Sequence, residues 1–214
     1  MLTQIIADAI RANGGWLGFD EFMRLALYAP GCGYYDHGSP KFGHLPESGS
    51  DFVTAPEMSP LFGQTLGTAV EEALIASGTD EVWEFGAGTG ALAEQLLDRL
   101  GSSLRRYTIV DLSGSLRERQ QARLARFADR VHWVTALPER FSGVIVGNEV
   151  LDAMPVQLLA RVNGAWLERG VALSTSAEGG FVWSDRATML RPPVEVEGEH
   201  DYLTEIHPQG EAFV

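Results

Sequence analysis

Residues 81–91, EVWEFGAGTGA, decide the fold of this chain. Val82, Trp83 and Phe85 have the apolar character of a buried strand, and residues 91–100, ALAEQLLDRL, predict the helix that follows. Between them lie glycines at alternate positions, Gly86, Gly88 and Gly90. Glycine has no Cβ atom, so such a turn lets the backbone come close to a ligand, and the N–H groups at a helix start favour electron-rich groups. The stretch therefore predicts a strand, a tight turn and a helix around a ligand site.

The turn by itself leaves the class of ligand open. Gly86, Gly88 and Ala91 satisfy the dinucleotide-binding pattern G-x-G-x-x-G/A, which is typical of nicotinamide and flavin enzymes. Glu84 extends the turn to E-x-G-x-G-x-G, the form found in S-adenosylmethionine (SAM) methyltransferases, where an acidic side chain suits the cationic amino-acid end of the cofactor. A glycine-rich turn without any ligand is the third interpretation.

Length and composition limit the classes of protein that the chain can be. With 214 residues, of which 45% are hydrophobic, one domain with additions is expected. A net charge of −13 argues against nucleic acid or an anionic membrane as the main partner and permits a basic one. Cys32 is the single cysteine and no apolar run approaches the roughly 18 residues of a membrane span, so a cytoplasmic protein is expected. The five histidines lack the spacing of a metal site, and no metal is predicted.

Helices and a long loop are predicted before the glycine turn. Apolar residues at helical spacing predict helices over residues 2–12 and 19–28. Residues 30–49 are rich in glycine and proline and carry aromatic side chains, which predicts an irregular loop that covers a site. The prolines within residues 51–63 favour the entry of a helix that runs on to about residue 77.

A regular alternation of strands and helices follows the turn. Strands are predicted over residues 106–110, 131–134 and 144–146, with a helix over 116–127 between the first two. This order is typical of a parallel sheet with helices on both faces, so the predicted fold class is α/β with a Rossmann-like core. Ligands of such sheets bind beyond the carboxyl ends of the strands. The residues expected to converge there are Gly86, Asp111, Ala136 and Asn148.

Acidic residues follow two of the predicted strands. Asp111 ends the strand after the glycine turn, where a carboxylate can accept both ribose hydroxyls of a nucleoside. Capping of the next helix is the alternative role, although Ser113 or Ser115 could fill it. After the fourth strand the run NEVLDAMP places Glu149 and Asp152 three residues apart at the mouth of the sheet. We expect these two carboxylates to face the acceptor substrate, with capping or solvation as the alternative.

Four motifs follow one another along the chain. They are Y-A-P-x-x-G-Y-Y from Tyr28, D-F-V-T-A-P-E from Asp51, E-x-G-x-G-x-G from Glu84 and N-E-x-x-D-A-x-P from Asn148. From about Phe19 onward, the chain thereby resembles the MidA-like family of SAM-dependent methyltransferases, whose mitochondrial member is an assembly factor of respiratory complex I. The resemblance implies a Rossmann-like methyltransferase core with SAM as cofactor and, for the mitochondrial branch, methylation of an arginine on a complex I subunit.

The resemblance also implies roles for single residues. The cofactor-binding residues would be Glu84, Gly86, Ala87, Gly88, Gly90, Asp111, Leu112, Ala136, Leu137 and Asn148. The glycines would hold the methionine part of SAM, Asp111 the ribose, and Ala136 and Leu137 the adenine edge. On the acceptor side a carboxylate must take a proton from the attacking guanidinium, and Glu149 is the first choice for this catalytic role, with Asp152 or Glu57 second.

The end of the chain departs from the family, whose members are longer. Strands that would follow residue 214 are absent, so a fragment is expected, or a form that self-associates through the exposed edge of strand four. Antiparallel hairpins are predicted over residues 156–184 and the start of a helix within residues 202–214. The chain thus divides into N-terminal helices with the covering loop (1–78), a SAM-binding core (79–155) and a hairpin insertion (156–214).

Three functions of different classes remain open at this point. An active arginine methyltransferase with a protein substrate is favoured, with no nucleic acid and no membrane as partner. A non-catalytic SAM-binding assembly factor, or an inactive truncated form, is the first alternative. A nicotinamide-dependent enzyme is the second, because the fold alone does not choose among these activities.

Overall fold

The computed structural model describes residues 1–35, 53–111, 114–176, 179–195, 197–198 and 200–213. Along the chain the helices and strands are α1 (Leu2–Ala12), β1 (Leu17–Gly18), α2 (Phe19–Tyr28), α3 (Ala55–Met58), α4 (Pro60–Ser77), β2 (Glu81–Phe85), α5 (Ala91–Leu100), β3 (Arg106–Val110), α6 (Gly114–Arg123), β4 (Val131–Val134), β5 (Val144–Gly147), β6 (Gln157–Val162), β7 (Ala165–Leu173), β8 (Phe181–Ala187), β9 (Tyr202–Ile206) and α7 (Pro208–Phe213). Among the helices so described, none is long and apolar enough to cross a membrane.

The chain forms two compact units that its linear order does not reveal. One comprises Met1–His37 together with Leu151–Val214 and is called the antiparallel-sheet unit. The other comprises Gly38–Val150 and is called the parallel-sheet unit. The N-terminal helices therefore share a unit with the strands after residue 150.

The parallel-sheet unit contains four strands in the order β4-β3-β2-β5, and every neighbouring pair is parallel. Strand β2 occupies the interior of this sheet, and its residues from Val82 to Phe85 are buried. Leucines of α5, with Val70 and Leu74 of α4, complete the core against the strands. The strands predicted over residues 106–110, 131–134 and 144–146 are confirmed, as is the α/β fold class, because these apolar runs pair in parallel register, β3 with β2 and β4 and β5 with β2.

Two predicted helices of this unit differ in the structure. The helix expected from residue 55 onward is divided at Ser59, whose backbone is extended and whose hydroxyl accepts a hydrogen bond from the Leu61 N–H at 3.2 Å. The cause is Pro60, since proline disfavours a helical conformation in the residue before it. The helix expected over 116–127 begins at Gly114, and after Arg123 it gives way to a short 3-10 turn, Ala125–Phe127.

The antiparallel-sheet unit contains five strands in the order β1-β7-β6-β9, with β8 paired to β7. Its core joins Ile6 and Ile10 of α1 to Leu17, Leu25 and Val171. The predicted hairpins are present as β6 to β8. Residues 202–206 form β9 instead of the expected helix, because their backbone pairs along β6, and helix α7 begins only at Pro208.

Candidate functional site

The glycine turn joins β2 to α5 at the carboxyl end of the parallel sheet. Gly86, Gly88 and Gly90 have φ angles of 62°, 54° and 84°, which lie in a left-handed region that residues with a Cβ atom rarely adopt. The Gly90 N–H donates to the Ala87 carbonyl at 2.8 Å and closes the turn. A Cβ atom built on Gly88 would meet no atom of the described residues within 4 Å beyond its chain neighbours, whereas one on Gly86 would lie 3.2 Å from Val150 Cγ2. The turn therefore presents bare backbone beside the loop that follows β5.

Glu84 lies two residues before the turn and is buried within the sheet. Its carboxylate accepts a hydrogen bond from the Tyr107 hydroxyl, with 2.8 Å between the oxygens. Burial raises the pKa of Glu84 to about 8, an effect that the charge of Asp111 increases and the Tyr107 hydrogen bond opposes. The sequence indicated an acid facing the cationic end of a cofactor, and the structure places this acid against Tyr107 within the sheet interior.

Asp111 follows β3 and is held by a residue that the sequence analysis missed. The Gln120 amide nitrogen donates to Asp111 Oδ2 at 2.8 Å and to the Gly88 carbonyl at 2.9 Å. The glycine turn and the predicted ribose carboxylate therefore share one hydrogen-bonding partner. A signal was present in the sequence, because Gln120 interrupts an apolar line at helical spacing between Leu116 and Leu124.

Glu57 belongs to the same unit and approaches the turn through Thr89. Its carboxylate accepts hydrogen bonds from the Thr89 hydroxyl and from Arg123, which forms an ion pair with it at 2.9 Å. The Glu57 side chain is 5% exposed and that of Arg123 is 28% exposed. This arrangement connects α3, the glycine turn and α6 through one buried carboxylate.

The loop after β5 carries a residue with a strained backbone. Glu149 has a φ angle of 55°, which is costly for a residue with a Cβ atom. The Asn148 side-chain amide donates to Glu149 Oε1 at 3.2 Å. Strain of this kind persists only where surrounding structure enforces it, and it is frequent at functional sites.

The remaining predicted site residues occupy simpler positions. Ala136 and Leu137 are exposed after β4, while Ala87 is buried within the turn. Leu112 and most of the loop predicted to cover the site lie outside the described residues. Within the described ranges no group of three potential metal ligands occurs.

Asp152 belongs to the antiparallel-sheet unit, in the 3-10 turn Leu151–Ala153. In that unit the Tyr28 hydroxyl donates to the Ala153 carbonyl at 2.6 Å. Burial and the charge of Asp152 raise the pKa of Tyr28. Asp152 is thus exposed beside a phenol that stays protonated at neutral pH.

Known proteins resemble the chain in sequence and in structure. A family model described as "Putative S-adenosyl-L-methionine-dependent methyltransferase" matches residues 66–214. The mitochondrial protein arginine methyltransferase NDUFAF7 of Mus musculus is 32% identical over 212 residues, and its homologue in Caenorhabditis elegans is 26% identical over 210 residues. A crystal structure from Burkholderia thailandensis with S-adenosyl-homocysteine bound is 49% identical, with a TM-score of 0.87.

These matches cover most of this chain but only about half of each relative. The alignments cover 84% and 86% of this chain but 46% and 49% of the mouse and nematode relatives. The Burkholderia structure covers 99% of this chain, which in turn covers 57% of that protein. The chain therefore spans about half the length of the curated relatives it matches.

The comparisons bear on three earlier expectations. They confirm the predicted fold and the cofactor class, since the matching family is SAM-dependent and the similar crystal structure holds the demethylated form of SAM. The expectation of a cytoplasmic protein is wrong, because the curated relatives are named as mitochondrial. A low cysteine count and the lack of long apolar runs are shared by soluble proteins of several compartments, so composition could not make this distinction.

Proposed function

Since the chain belongs to this family of S-adenosyl-L-methionine-dependent methyltransferases, we propose that it transfers a methyl group from SAM to an arginine nitrogen of a protein substrate. The acceptor class is suggested by the relatives, which are named protein arginine methyltransferases. One observation carries the proposal: the glycine turn and Asp111 follow the adjacent parallel strands β2 and β3 and share the partner Gln120. Nucleotide ligands of α/β sheets bind at this edge.

The residues at this edge suit the parts of SAM. Backbone N–H groups of Gly86 to Gly90 would hold the methionine part, and the Asp111 carboxylate would accept the ribose hydroxyls. The exposed Ala136 and Leu137 would flank the adenine, and Asn148 would close the cofactor side next to Glu149. Glu84, inside the sheet, and Ala87, buried within the turn, would support the turn from below.

Arginine as acceptor makes a specific demand on the protein. Bound SAM would supply a methyl group on a positively charged sulfur, whose transfer leaves a neutral thioether. The guanidinium is protonated in water, with a pKa above about 12, so carboxylates must orient it and take a proton as the N–C bond forms. We assign this role to Glu149, whose strained backbone and contact with Asn148 hold its carboxylate in the loop after β5.

Asp152 and Glu57 are the second choices for this role. The carboxylate of Glu57 is already engaged by Arg123 and Thr89, so a structural contribution is its simpler function. Asp152 is exposed and would act by orienting the substrate cation.

Two finer features belong to the same proposal. The acceptor would be an arginine of a respiratory complex I subunit, as the resemblance implies. Self-association would use β5, which pairs with β2 on one side and, among the described residues, with no strand on the other.

The experiment combines binding and turnover. The purified chain is titrated with S-adenosyl-homocysteine and with NAD by calorimetry, and is then incubated with methyl-labelled SAM and arginine-containing peptides or mitochondrial extract. We expect the chain to bind S-adenosyl-homocysteine, not to bind NAD, and to transfer the labelled methyl group to arginine side chains of a protein. Glu149→Gln should keep binding and lose turnover, while Glu72→Gln, an exposed change on α4, should keep both. If the chain binds S-adenosyl-homocysteine but labels no protein in any extract, it is a non-catalytic SAM-binding protein. If it binds only NAD, the proposal is overturned.

A further inference from the structure

The buried side-chain amide of Gln120 forms hydrogen bonds with residues in or just after three neighbouring strands. Its side chain is 0% exposed, and it donates to the Gly88 carbonyl at 2.9 Å and to Asp111 Oδ2 at 2.8 Å. Its own carbonyl oxygen accepts a hydrogen bond from Trp133 Nε1 at 3.0 Å. Gly88 follows β2, Asp111 follows β3 and Trp133 lies in β4. One side chain of α6 therefore contacts groups that follow two neighbouring parallel strands, β2 and β3, and a side chain within the third, β4.

The orientation of this amide follows from the chemistry of its partners. An indole N–H can only donate, so the oxygen of Gln120 must face Trp133. The Gly88 carbonyl can only accept, so the amide nitrogen must face the glycine turn. With both ends assigned, the second amide hydrogen is directed at Asp111 Oδ2. Trp133 thus determines that a donor, and not an acceptor, is presented to the Asp111 carboxylate.

We propose that Gln120 is a positioning residue of the cofactor site, and that its amide sets the separation between the glycine turn and the Asp111 carboxylate. These are the two groups that would hold the amino-acid end and the ribose of SAM, so the inference rests on the proposed function. A hydrogen bond from an amide to a carboxylate is charge-assisted and directional, and it aligns the carboxylate before the ligand arrives. Prior alignment reduces the ordering cost of binding.

Packing alone does not account for a glutamine at this position. Leu116 and Leu124 lie one helical turn before and after it, so an apolar side chain would continue the same line. Burial of an amide is costly unless each polar atom finds a partner, and the net gain from its hydrogen bonds is modest. The arrangement therefore contributes geometry at the cofactor edge more than stability.

The primary test replaces Gln120 with a side chain of similar length that cannot donate. Gln120→Met should weaken binding of S-adenosyl-homocysteine by about 10- to 100-fold, the loss expected for one charge-assisted hydrogen bond. Gln121→Met is the matched control, because it makes the same chemical change at the exposed neighbour, and it should alter the dissociation constant by less than about twofold. Binding is measured by calorimetry well below the unfolding temperature of each variant.

A double-mutant cycle separates positioning from general damage. In the Asp111→Asn background, Gln120→Met should weaken binding by less than about threefold, because the group that Gln120 aligns has already been altered. If Gln120→Met does not fold, Trp133→Phe provides the second variant, since it keeps Gln120 and removes the donor that orients it. That change should weaken binding by about 3- to 10-fold and depend on Asp111 in the same way.

The outcomes distinguish this role from the proposed function. If the unmodified chain binds S-adenosyl-homocysteine but Gln120→Met and Trp133→Phe bind it equally well, the positioning role is refuted and the cofactor site stands. An equal loss in the presence and absence of the Asp111 carboxylate also refutes it, because the effect would then be structural. If the unmodified chain does not bind the compound, the proposed function is overturned and this role with it.

Discussion

The hydroxyl of Tyr107 donates a hydrogen bond to Glu84 Oε2 at 2.8 Å inside the parallel sheet. The two residues lie on the neighbouring strands β2 and β3, and their exposures are 0% for Tyr107 and 2% for Glu84. Burial raises the pKa of Glu84 to about 8 and, with the charge of Glu84, raises that of Tyr107 well above its usual value. At neutral pH the strand that ends in the glycine turn therefore contains a carboxyl group that is mostly protonated.

This relationship predicts a pH dependence of stability. The Glu84 carboxyl has an ordinary pKa of 4.5 and a folded value of about 8, so between these values the folded chain holds a proton that the unfolded chain has lost. The free energy of unfolding should therefore fall as the pH rises from about 4.5 to about 8, by at most about 1.4 kcal/mol per pH unit from this group. Glu84→Gln should remove this contribution and stabilise the chain most at pH 8 and above, as urea unfolding followed by tryptophan fluorescence would show.

The control for that measurement is Glu72→Gln, which removes an exposed carboxylate from α4. It should leave the slope of stability against pH nearly unchanged, within about 0.3 kcal/mol per pH unit. A Glu84→Gln profile parallel to that of the unmodified chain would show that Glu84 ionises normally in the folded state.

The glycine turn predicts a steric effect on cofactor binding. Gly88→Val places a branched side chain at a φ angle of 54°, where the new Cβ would meet no atom of the described part of the chain within 4 Å beyond its own neighbours. We expect at least a tenfold loss of affinity for S-adenosyl-homocysteine, because the side chain would project where the ligand approaches the backbone. The measurement is isothermal calorimetry.

Gly101→Val is the control for this change. Gly101 has a φ angle of 53° and a ψ angle of −125°, and its added Cβ would likewise meet no described atom within 4 Å beyond its neighbours, but it lies at the opposite end of α5. Both variants should lose about 1–3 kcal/mol of stability from backbone strain, and only Gly88→Val should lose affinity. Equal affinities of the two variants for S-adenosyl-homocysteine would show that the cofactor does not bind at the turn.

The strained backbone of Glu149 predicts opposite effects on stability and activity. Glu149→Gly should raise the free energy of unfolding by about 0.5–1 kcal/mol, because glycine tolerates a φ of 55° without strain. The same variant should lower the rate of methyl transfer by at least about 100-fold, since the proposed proton acceptor is removed. Denaturant unfolding and transfer of labelled methyl groups measure the two effects.

Asn163→Gly is the control, because Asn163 is the other described residue besides glycine with a positive φ, 49° in the hairpin between β6 and β7. Asparagine tolerates this conformation well, so stability should change by less than about 0.5 kcal/mol and methyl transfer should be unaffected. A Glu149→Gly variant that keeps full activity would remove Glu149 from the mechanism.

The ion pair between Arg123 and the buried carboxylate of Glu57 predicts a difference between two arginines. Arg123→Met should lower the free energy of unfolding by roughly 2–3 kcal/mol, because the buried carboxylate of Glu57 loses its cation. Arg126→Met removes a more exposed arginine that pairs with Glu94 and Asp98, and it should cost less than about 1 kcal/mol. Equal losses in thermal or urea unfolding would show that the Glu57 pair is no stronger than a surface pair.

Much of the parallel sheet could be predicted because its signals are local. Apolar runs of four or five residues identify β2, β3, β4 and β5, helical periods separate the first three of them, and the glycines after β2 mark the turn. The predicted roles of Asp111 and Glu149 depended on strand ends, which the order of elements already brings to one edge of the sheet. Local signals failed at Ser59, where Pro60 divides a helix, and at β9, whose strand conformation depends on pairing with the distant β6.

The sequence by itself determined the class of fold, the glycine turn and the family to which the chain belongs, because these depend on residue types at short spacings. Only the tertiary structure decided that Gln120 contacts both Gly88 and Asp111 and that the buried Tyr107 hydroxyl donates a hydrogen bond to Glu84. It also decided that the N-terminal helices share a unit with the strands after residue 150. The physical reason is that hydrogen bonds and burial between distant residues depend on strand register and on the packing of helices against the sheet. The interrupted apolar line of α6 marks Gln120 as unusual, but no periodic pattern in a single sequence records which distant residues it contacts.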